Sequence, residues 1–253
     1  MPAAMAERFR AFRGPAAVPR PAATVVLLRP GRPFEAYVLR RKSSMVFGGL
    51  HAFPGGGMDP SDRPETLRTD WAGRLGVPDE AAHAVVGAAV RELFEETGVL
   101  LAGRADEADH TVADLGVDGE TDRAALARRE LTMTDLLNRR DLRVRDDLLL
   151  PWARWITPEF EPKRFDTWFF VALLPAGQAP RDVSGEADST AWIDPADPAG
   201  LTMLPPTRLT LAQLGAYDSL EEVVAASVTR DAATPVIPRV DEGPDGNPVL
   251  RLT

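Results

Sequence analysis

The sequence predicts one α/β domain built on a mixed sheet, and three observations support this fold class. Apolar runs typical of buried strands occur early in the chain and again after its midpoint, with helical patterns between and after them. A glycine-rich segment stands before a long amphipathic helix that ends in RELFEETG. The 253 residues are 44% hydrophobic and 26% charged, a composition typical of a globular protein with a substantial core.

An arm and a β-hairpin are predicted at the start of the chain. Residues 1–22 favour a short helix followed by a Pro/Ala-rich arm. Ala23–Arg29 has the pattern of a buried strand, and Phe34–Arg41 has that of a second strand after a turn rich in proline and glycine. Gly55–Gly57, in FPGGG, then allow the backbone to approach a ligand closely and to expose its amides and carbonyls.

A long helix is predicted over Pro78–Thr97. Pro78 suits the first helical position, and Gly98 suits the left-handed residue that ends a helix. Apolar side chains recur at spacings of three and four and predict one buried face, at Val86, Ala89, Val90 and Leu93. A shorter helix is expected to end at Gly76, and Val99–Ala102 is expected to form a strand after the long helix.

The second half of the chain is predicted to hold an insertion and the rest of the sheet. Residues 103–147 favour a helical insertion that caps a site or makes a subunit contact, with a solvated charged surface and helical runs at Asp122–Leu131 and Thr134–Asn138. The domain is expected to span 23–230, and 231–253 to form a Pro-rich tail. The further strands and helices are expected at Leu148–Ile156, Thr167–Leu174, Ala187–Asp194, Pro206–Leu214 and Leu220–Thr229.

Charge and composition exclude several classes of function. The formal net charge of −9 argues against a nucleic-acid-binding surface, and a chain without cysteine has no disulfide framework and no zinc–thiolate site. No apolar run reaches membrane-spanning length, and the N-terminus lacks the apolar core of a secretory signal. We therefore expect a cytoplasmic protein that acts on a small molecule, without nucleic-acid or membrane partners.

The electrostatics of RELFEETG indicate a bound cation. Glu92, Glu95 and Glu96 are three and four residues apart, which gathers their carboxylates on one side of the helix. Two of them lie in the last turn, where the helix dipole is already negative, and Arg91 alone cannot neutralise all three. Clustered hard oxygen ligands suit Mg²⁺ or Mn²⁺, which also bind phosphates. The alternative is a solvated acidic helix face, against which the misplaced charge argues.

FPGGG followed by RELFEETGV resembles the signature of the Nudix hydrolases. That signature is a glycine, five residues, a glutamate, seven residues and then R-E-U-x-E-E-x-G-U, where U is aliphatic, and Arg91–Val99 match its second half completely. The first half departs from it, because His83 stands where the glutamate is expected and Val77 where the glycine is expected. An insertion of about twenty residues separates the glycines from the helix, at a small entropic cost. Glu80 could replace the missing glutamate, and His83 could be a surface residue.

The resemblance points to one branch of this family when more of the chain is considered. The segments LRRKSSMVFGGLHAFPGG, RELFEETGVLLA, WITP and RFDTWFF, within residues 23–198, resemble the coenzyme A diphosphatase branch that includes peroxisomal acyl-CoA-cleaving enzymes. The resemblance implies a Nudix-type α/β/α sandwich that cleaves CoA or acyl-CoA to 3′,5′-ADP and (acyl-)phosphopantetheine. An ADP-ribose, nucleotide-sugar or dinucleotide pyrophosphatase is the alternative within the same chemistry. A catalytically silent, ligand-sensing Nudix domain is the alternative of another class.

The resemblance also implies roles for individual residues. Metal ligands for Mg²⁺ or Mn²⁺ are expected at Glu92, Glu95, Glu96 and the carbonyl of Gly57, with Gly56 as an alternative for the carbonyl. Arg91 is expected to hold a box glutamate in place. The general base is either a box glutamate or a loop glutamate, for which Glu186 is the candidate, with Asp182 and Asp188 as weaker rivals.

Basic and glycine residues are expected to bind the substrate. The candidates for contacts with its phosphates are Arg40, Arg41, Lys42, Lys163 and Arg164, and those for close backbone approach are Gly55 and Gly56. Arg164 is the best placed of the basic residues, because it lies inside the RFDT match and an arginine can bind a phosphate through two hydrogen bonds. Homodimers are common among Nudix hydrolases, which leaves a homodimer open here.

Overall fold

The computed structural model describes most of the chain. Its described residues are 3–44, 48–107, 109–181, 185, 187–243 and 248–251. Across these ranges, none of the helices combines the length and the apolar character needed to span a bilayer.

The described residues form seven α-helices and twelve strands. The helices are α1 (Ala3–Ala11), α2 (Trp71–Leu75), α3 (Asp79–Thr97), α4 (Gly116–Ala127), α5 (Met133–Arg139), α6 (Pro205–Leu214) and α7 (Leu220–Ser227). The first strands are β1 (Arg20–Pro30), β2 (Phe34–Arg41), β3 (His51–Ala52), β4 (Gly55–Gly57), β5 (Ala102–Arg104) and β6 (Leu142–Val144). The later strands are β7 (Leu149–Ile156), β8 (Phe165–Leu173), β9 (Ala187–Ile193), β10 (Pro235–Val236), β11 (Arg239–Glu242) and β12 (Pro248–Arg251).

Strand β1 is central to the main sheet, which contains eight strands within the described part of the chain. The sheet order is β10-β7-β8-β1-β2-β3, with β4 also paired to β1 and β9 to β2. β1 runs parallel to β8 and antiparallel to β2 and β4, so the sheet is mixed. β4 pairs with the first half of β1 and β2 with its last residues, so that the strand passes from one neighbour to the other along its length.

Alternation along β1 divides the core into two layers. Val25 and Leu27 join the cluster that contains α3, whereas Val26 and Leu28 join the cluster that contains α6 and α7. Successive side chains of a strand point to opposite faces, so a strand buried on both faces needs an unbroken apolar run. The predicted α/β/α sandwich, with a helical insertion and C-terminal helices, is confirmed.

Helix α3 forms almost as the sequence predicts. Pro78 is its N-cap rather than its first helical residue, and Gly98 ends it in a left-handed conformation at φ 75°. The four residues of the predicted apolar face are all fully buried: Val86, Ala89, Val90 and Leu93. The helix therefore has a fixed rotation about its axis, which turns its glutamates away from the apolar face.

The insertion differs from its prediction in its helix limits. The predicted run Asp122–Leu131 begins too late and ends too late, because α4 spans Gly116–Ala127 and residues 128–132 form a turn before α5. Arg129 in this turn has a left-handed backbone with φ 60°, which cannot continue a helix. The predicted helix therefore cannot extend through Arg129 to Leu131.

Many charges of the insertion are exposed as expected, but some are buried. Arg123 is buried and donates a hydrogen bond of 2.8 Å to the carbonyl of Glu95, which would otherwise be unpaired near the end of α3. Asp146 is fully buried and accepts hydrogen bonds from two backbone amides and one indole, those of Arg68, Thr69 and Trp71. These charges fasten the insertion to the domain instead of only solvating it.

Three strand predictions need correction. Val99–Ala102 is not a strand over most of its length, because β5 begins at Ala102 and pairs with β6. The apolar residues before it are buried as a connection under the insertion. β1 begins at Arg20, inside the predicted arm, and the predicted tail contributes β10 to the edge of the sheet beside β7.

Candidate active site

The glycine strand β4 lies directly against the glutamates of α3. The amide of Gly55 donates a hydrogen bond of 3.0 Å to Oε2 of Glu96. A Cβ atom on Gly56 would stand 2.5 Å from Oε1 of Glu92, so a larger residue would fit here only if this carboxylate moved. The glycines of FPGGG therefore allow a close approach, as expected. The groups that approach them in this structure are the carboxylates of Glu92 and Glu96 and not a ligand.

Arg91 is the centre of the site and is 5% exposed. Its Nη1 lies 2.8 Å from Oε1 of Glu92 and donates to Oε1 of Glu95 at 3.1 Å, so one nitrogen holds two carboxylates. Its Nη2 donates to the carbonyl of Gly57 at 2.8 Å. Arg91 thus contacts two of the box glutamates, and the same side chain joins the helix to the glycine strand.

Asp62 is the site residue that the sequence did not reveal. It is 1% exposed, and its carboxylate accepts hydrogen bonds of 2.7 and 3.0 Å from Nε and Nη2 of Arg91. It also accepts a hydrogen bond of 2.7 Å from the amide of Asp59. This geometry is the two-point contact that the planar guanidinium favours.

The motif glutamate missing from α3 has a counterpart in Asp62, whose carboxylate, in the loop before α2, supports Arg91. Glu80, considered as the replacement for the missing glutamate, instead forms an ion pair with Arg63 at the surface. His83, considered as a surface residue, is partly buried, and its Nδ1 lies 2.8 Å from the carbonyl of Pro64. Asp62 stands six residues after Gly56, so the spacing of the motif's first half is kept, with aspartate in place of glutamate. Counting back from Arg91 missed it because the insertion lies between Asp62 and α3.

Burial and crowding change the acidity of the site. Burial raises the pKa of Glu92 from 4.5 to about 7, with the charge of Arg91 opposing this shift and that of Glu95 adding to it. Burial also raises the pKa of Glu95, again against the effect of Arg91. The pKa of Arg91 is raised by its carboxylate partners despite its burial, so it remains a cation. Burial therefore disfavours the charged form of both carboxylates, even beside the cation of Arg91.

We expect the metal-free protein to lose stability as the pH rises through the titration of Glu92. The folded protein binds this proton more tightly than the unfolded chain, so stability falls between the unfolded pKa of 4.5 and the folded pKa of about 7. The loss is on the order of 3 kcal/mol. Urea unfolding in EDTA between about pH 5 and pH 8 measures it.

Glu92→Gln should reduce this pH dependence, leaving the part due to the raised pKa of Glu95, and make the protein more stable than the wild type near pH 8. Glu65→Gln, at an exposed glutamate, is the matched control for the loss of one charge. Asp59 and Asp147 have lowered pKa values, so their contributions are lost only at more acidic pH and do not mask the slope. A wild-type stability that stays constant or rises over this range would contradict the raised pKa.

The donor set of the site suits a hard divalent cation. It consists of carboxylate and carbonyl oxygens, with no sulfur and no imidazole. Within the described residues, however, no three acidic or histidine side chains converge as they would on an ion. Arg91 contacts both Glu92 and Glu95, while Glu96 binds the amide of Gly55. The metal site at the three glutamates and Gly57 stays a prediction.

The predicted basic residues are spread over different places. Arg41 lines a cavity next to Gly55, whereas Arg40 is exposed and its Nε lies 3.5 Å from the carbonyl of Gly49. Arg164 is buried and donates to the carbonyls of Thr157 and Ala17. The structure therefore brings Arg41 near the glycine strand but not Arg164, which fastens the N-terminal arm. Lys163 and Asp188 are exposed.

Of the three loop candidates for the general base, Asp188 lies in β9 and the other two lie outside the described residues. Glu186 and Asp182 both lie outside the described residues. β9 begins at Ala187 and pairs with β2, the strand that carries Arg41. The assignment of Glu186 therefore stays a prediction.

An apolar cavity of about 210 Å³ opens beside Gly55 on the face of the sheet opposite α3. Its walls are mainly aromatic and aliphatic side chains, among them Phe53, Trp155, Phe165, Phe169 and Leu204. Met5 of the N-terminal helix and Leu250 of β12 also line it, so both ends of the chain help to enclose it. Polar side chains at the wall include Arg41, His51 and Glu161.

Solved structures with the same architecture are Nudix proteins. The chain is similar to a Nudix hydrolase from Alicyclobacillus acidocaldarius, at 28% identity and a TM-score of 0.67 over 86% of this chain and 99% of that one. At 15% identity it is also similar to a MutT Nudix hydrolase from Burkholderia pseudomallei, with a TM-score of 0.44 over 78% and 99% of the two chains. The Nudix domain of Shewanella oneidensis NrtR, solved with ADP ribose, has 15% identity and a TM-score of 0.42 over 84% and 96%.

The similarity to the Alicyclobacillus structure establishes the fold of the Nudix hydrolases, a family of enzymes. No protein-family model and no curated protein matches the chain. The branch that cleaves coenzyme A is not distinguished by the structural similarities.

Proposed function

We propose that the chain is a metal-dependent Nudix hydrolase that cleaves the pyrophosphate bond of a nucleoside diphosphate derivative. The observation that carries this proposal is the pair of carboxylates, Glu92 and Glu95, that Arg91 holds beside the glycine strand. Two carboxylates that share one guanidinium leave an excess of negative charge, which a divalent cation would offset. The similarity to a Nudix hydrolase at 28% identity supports the same reaction class.

The residues that would hold Mg²⁺ or Mn²⁺ are Glu92, Glu95 and Glu96, with the carbonyl of Gly57 as a further ligand. Such a cation, when bound, orients the diphosphate, lowers the pKa of a water molecule and offsets charge on the leaving phosphate. Arg91 positions the first two carboxylates, and Asp62 fixes Arg91 in turn. Rigid support of this kind limits the movement of reactive groups, on which the rate depends strongly.

We infer that the substrate is CoA or acyl-CoA, cleaved to 3′,5′-ADP and (acyl-)phosphopantetheine. The apolar cavity beside Gly55 supports this inference, because its aromatic and aliphatic walls suit the apolar part of such a substrate. Arg41 in the wall would meet an anionic group, and Glu186 would act as the general base, with a box glutamate as the alternative. ADP-ribose, nucleotide sugars and dinucleotides are the competing substrates, and a silent ligand-sensing domain is the competing class.

A substrate panel with product identification tests this proposal. The protein is incubated with Mg²⁺ or Mn²⁺ and CoA, acetyl-CoA, a long-chain acyl-CoA, ADP-ribose, a nucleotide sugar or a dinucleotide, and the products are separated and identified by mass. CoA cleavage should give 3′,5′-ADP and 4′-phosphopantetheine. Cleavage of ADP-ribose with no turnover of CoA or its thioesters would refute the CoA assignment. No cleavage of any diphosphate would leave the ligand-sensing alternative.

Glu95→Gln is expected to lower kcat by at least about a hundredfold on whichever substrate is cleaved, because it removes a carboxylate that the metal and Arg91 share. Gln is nearly isosteric with Glu, and the exposed Glu65→Gln is the matched control. Initial rates at saturating Mg²⁺, together with far-UV circular dichroism, measure the change. Full activity in a folded Glu95→Gln protein would show that this helix is not the metal site.

A further inference from the structure

The helical insertion forms one wall of a second cavity at the glutamates. This cavity, of about 180 Å³, lies between α3 and the turn that joins α4 to α5. Arg91 and Glu95 line it from α3, and Asp59 and Ser61 line it from the loop before α2. Its remaining wall is made by the turn, at Leu126, Ala127, Arg129, Leu131 and Thr132. The cavity thus adjoins the candidate active site on the side away from the apolar cavity.

The turn is firmly anchored on both sides. Leu126 and Leu131 are buried in the same core cluster as α3. Thr132 caps α5, where its hydroxyl oxygen accepts a hydrogen bond of 3.1 Å from the amide of Asp135. The residues between these anchors therefore keep a fixed place at the rim of the cavity.

Arg129 occupies this rim in a conformation that its residue type rarely adopts. Its φ of 60° is left-handed, and its side chain lines the cavity while remaining 72% exposed. It forms an ion pair with Asp59 across the cavity. The neighbouring Arg128 pairs instead with Glu130 and does not line the cavity.

The two arginines of the cavity differ in what they can still bind. Arg91 is almost fully buried and already contacts Asp62, Glu92 and Glu95. Among the described residues, Arg129 is paired with the partly buried carboxylate of Asp59, and its guanidinium is largely open to solvent. Arg129 lines the same cavity as Glu95 and Asp59, so its charge contributes to the electrostatics of the site. In a chain with a net charge of −9, such a cation is needed to receive an anionic substrate.

We propose that this cavity is a phosphate subsite in which Arg129 binds oxygens of a substrate phosphate and releases Asp59. The inference rests on the proposed function, since it assigns a part of the same substrate to the insertion. Arginine forms two parallel hydrogen bonds with a phosphate as readily as with a carboxylate, so the exchange of Asp59 for a phosphate preserves its contacts. The phosphate is either part of the diphosphate itself or a monoester elsewhere on the substrate.

The test is calorimetric titration of the full-length protein with two probes in the presence of Mg²⁺. α,β-Methylene-ADP carries a diphosphate that cannot be cleaved, and adenosine 3′,5′-bisphosphate carries two monoesters. The first variant is Arg129→Gly, because glycine adopts the left-handed conformation without strain and the fold is kept. Arg128→Ala is the matched control, since it removes an exposed arginine one residue away.

Arg129→Gly should weaken the binding of at least one probe by roughly tenfold, the scale of one charge-assisted contact, whereas Arg128→Ala should leave it unchanged. Asp59→Asn should tighten the same binding by roughly threefold, because the competing carboxylate is gone while Oδ1 still accepts from Ser61. Opposite effects of the two variants are the signature of a ligand site, because a purely structural ion pair would respond to both losses in the same direction.

The two probes distinguish the source of the phosphate. Loss of α,β-methylene-ADP binding assigns the subsite to the diphosphate, and loss of bisphosphate binding alone assigns it to a monoester. Equal dissociation constants for Arg129→Gly and the wild type, or no binding of either probe by the wild type, would overturn the inference. Hydrolysis of the substrate panel is measured separately. An active enzyme whose Arg129→Gly variant binds both probes normally would refute only the subsite. An Arg129-dependent binding of a probe without any hydrolysis would refute only the proposed function.

Discussion

Asp62→Asn is expected to lower the free energy of unfolding by about 3–5 kcal/mol, the usual cost of breaking a buried ion pair on one side. The substitution leaves the buried guanidinium of Arg91 without its two-point partner. Because Arg91 also holds Glu92 and Glu95, the carboxylates should become less ordered. We therefore expect the Mg²⁺ concentration for half-maximal activity to rise as well. Urea unfolding and a metal titration of the initial rate measure the two effects.

Glu80→Gln is the matched control for Asp62→Asn. Glu80 stands at the start of α3, near the place where the sequence motif expects the supporting glutamate, but it pairs only with Arg63 at the surface. An exposed pair of this kind contributes little to stability. If Glu80→Gln were the more damaging of the two substitutions, the assignment of the supporting carboxylate to Asp62 would be wrong.

Gly56→Ala is expected to lower kcat by about a hundredfold, the scale on which a displacement of 1 Å affects catalysis. The added Cβ would lie 2.5–2.7 Å from the carboxylate atoms of Glu92, which must then move. We also expect a loss of stability of about 1–3 kcal/mol, as for other overpacked sites. The backbone of Gly56 is not left-handed, so alanine tests the lack of space and not a strained φ.

Gly57→Ala is the control for Gly56→Ala. A Cβ at Gly57 would meet only the carbonyl oxygen of Pro21, at 4.0 Å, so it adds the same methyl group one residue further along the strand without a clash. The expected result is near-normal stability for Gly57→Ala, which keeps the backbone carbonyl that accepts from Arg91. Equal losses in both variants would indicate that the glycine strand, and not the packing against Glu92, is what alanine disturbs.

The sequence predicted the elements of this fold well because local patterns determine them. Burial within the main sheet explains the apolar runs of β1, β7 and β8. Packing against that sheet explains the spacing of the buried residues of α3. The boundaries of α4 were predicted less well, because a left-handed arginine at position 129 has no sequence signal comparable to that of glycine. The strand β10, of two residues, is too short to have a pattern at all.

The motif residues are predictable for the same local reason. Glu92, Glu95 and Arg91 lie within one turn of one helix, so their proximity follows from helical geometry. The contacts of the basic residues, in contrast, depend on residues that are distant in the sequence. Arg164 matched the family pattern, yet its guanidinium is used by the carbonyls of Thr157 and Ala17, which the fold brings to it from both sides.

The sequence by itself therefore determined the fold class, the long helix and the acidic cluster at its end, because each depends on side chains that are near one another in the chain. Only the tertiary structure decided which carboxylate holds Arg91, how closely Gly56 approaches Glu92, and that the insertion brings Arg129 to the glutamates. The physical reason is distance along the chain. Asp62 and Arg91 are 29 residues apart and Arg129 and Asp59 are 70 apart, so their contacts depend on how the loops close.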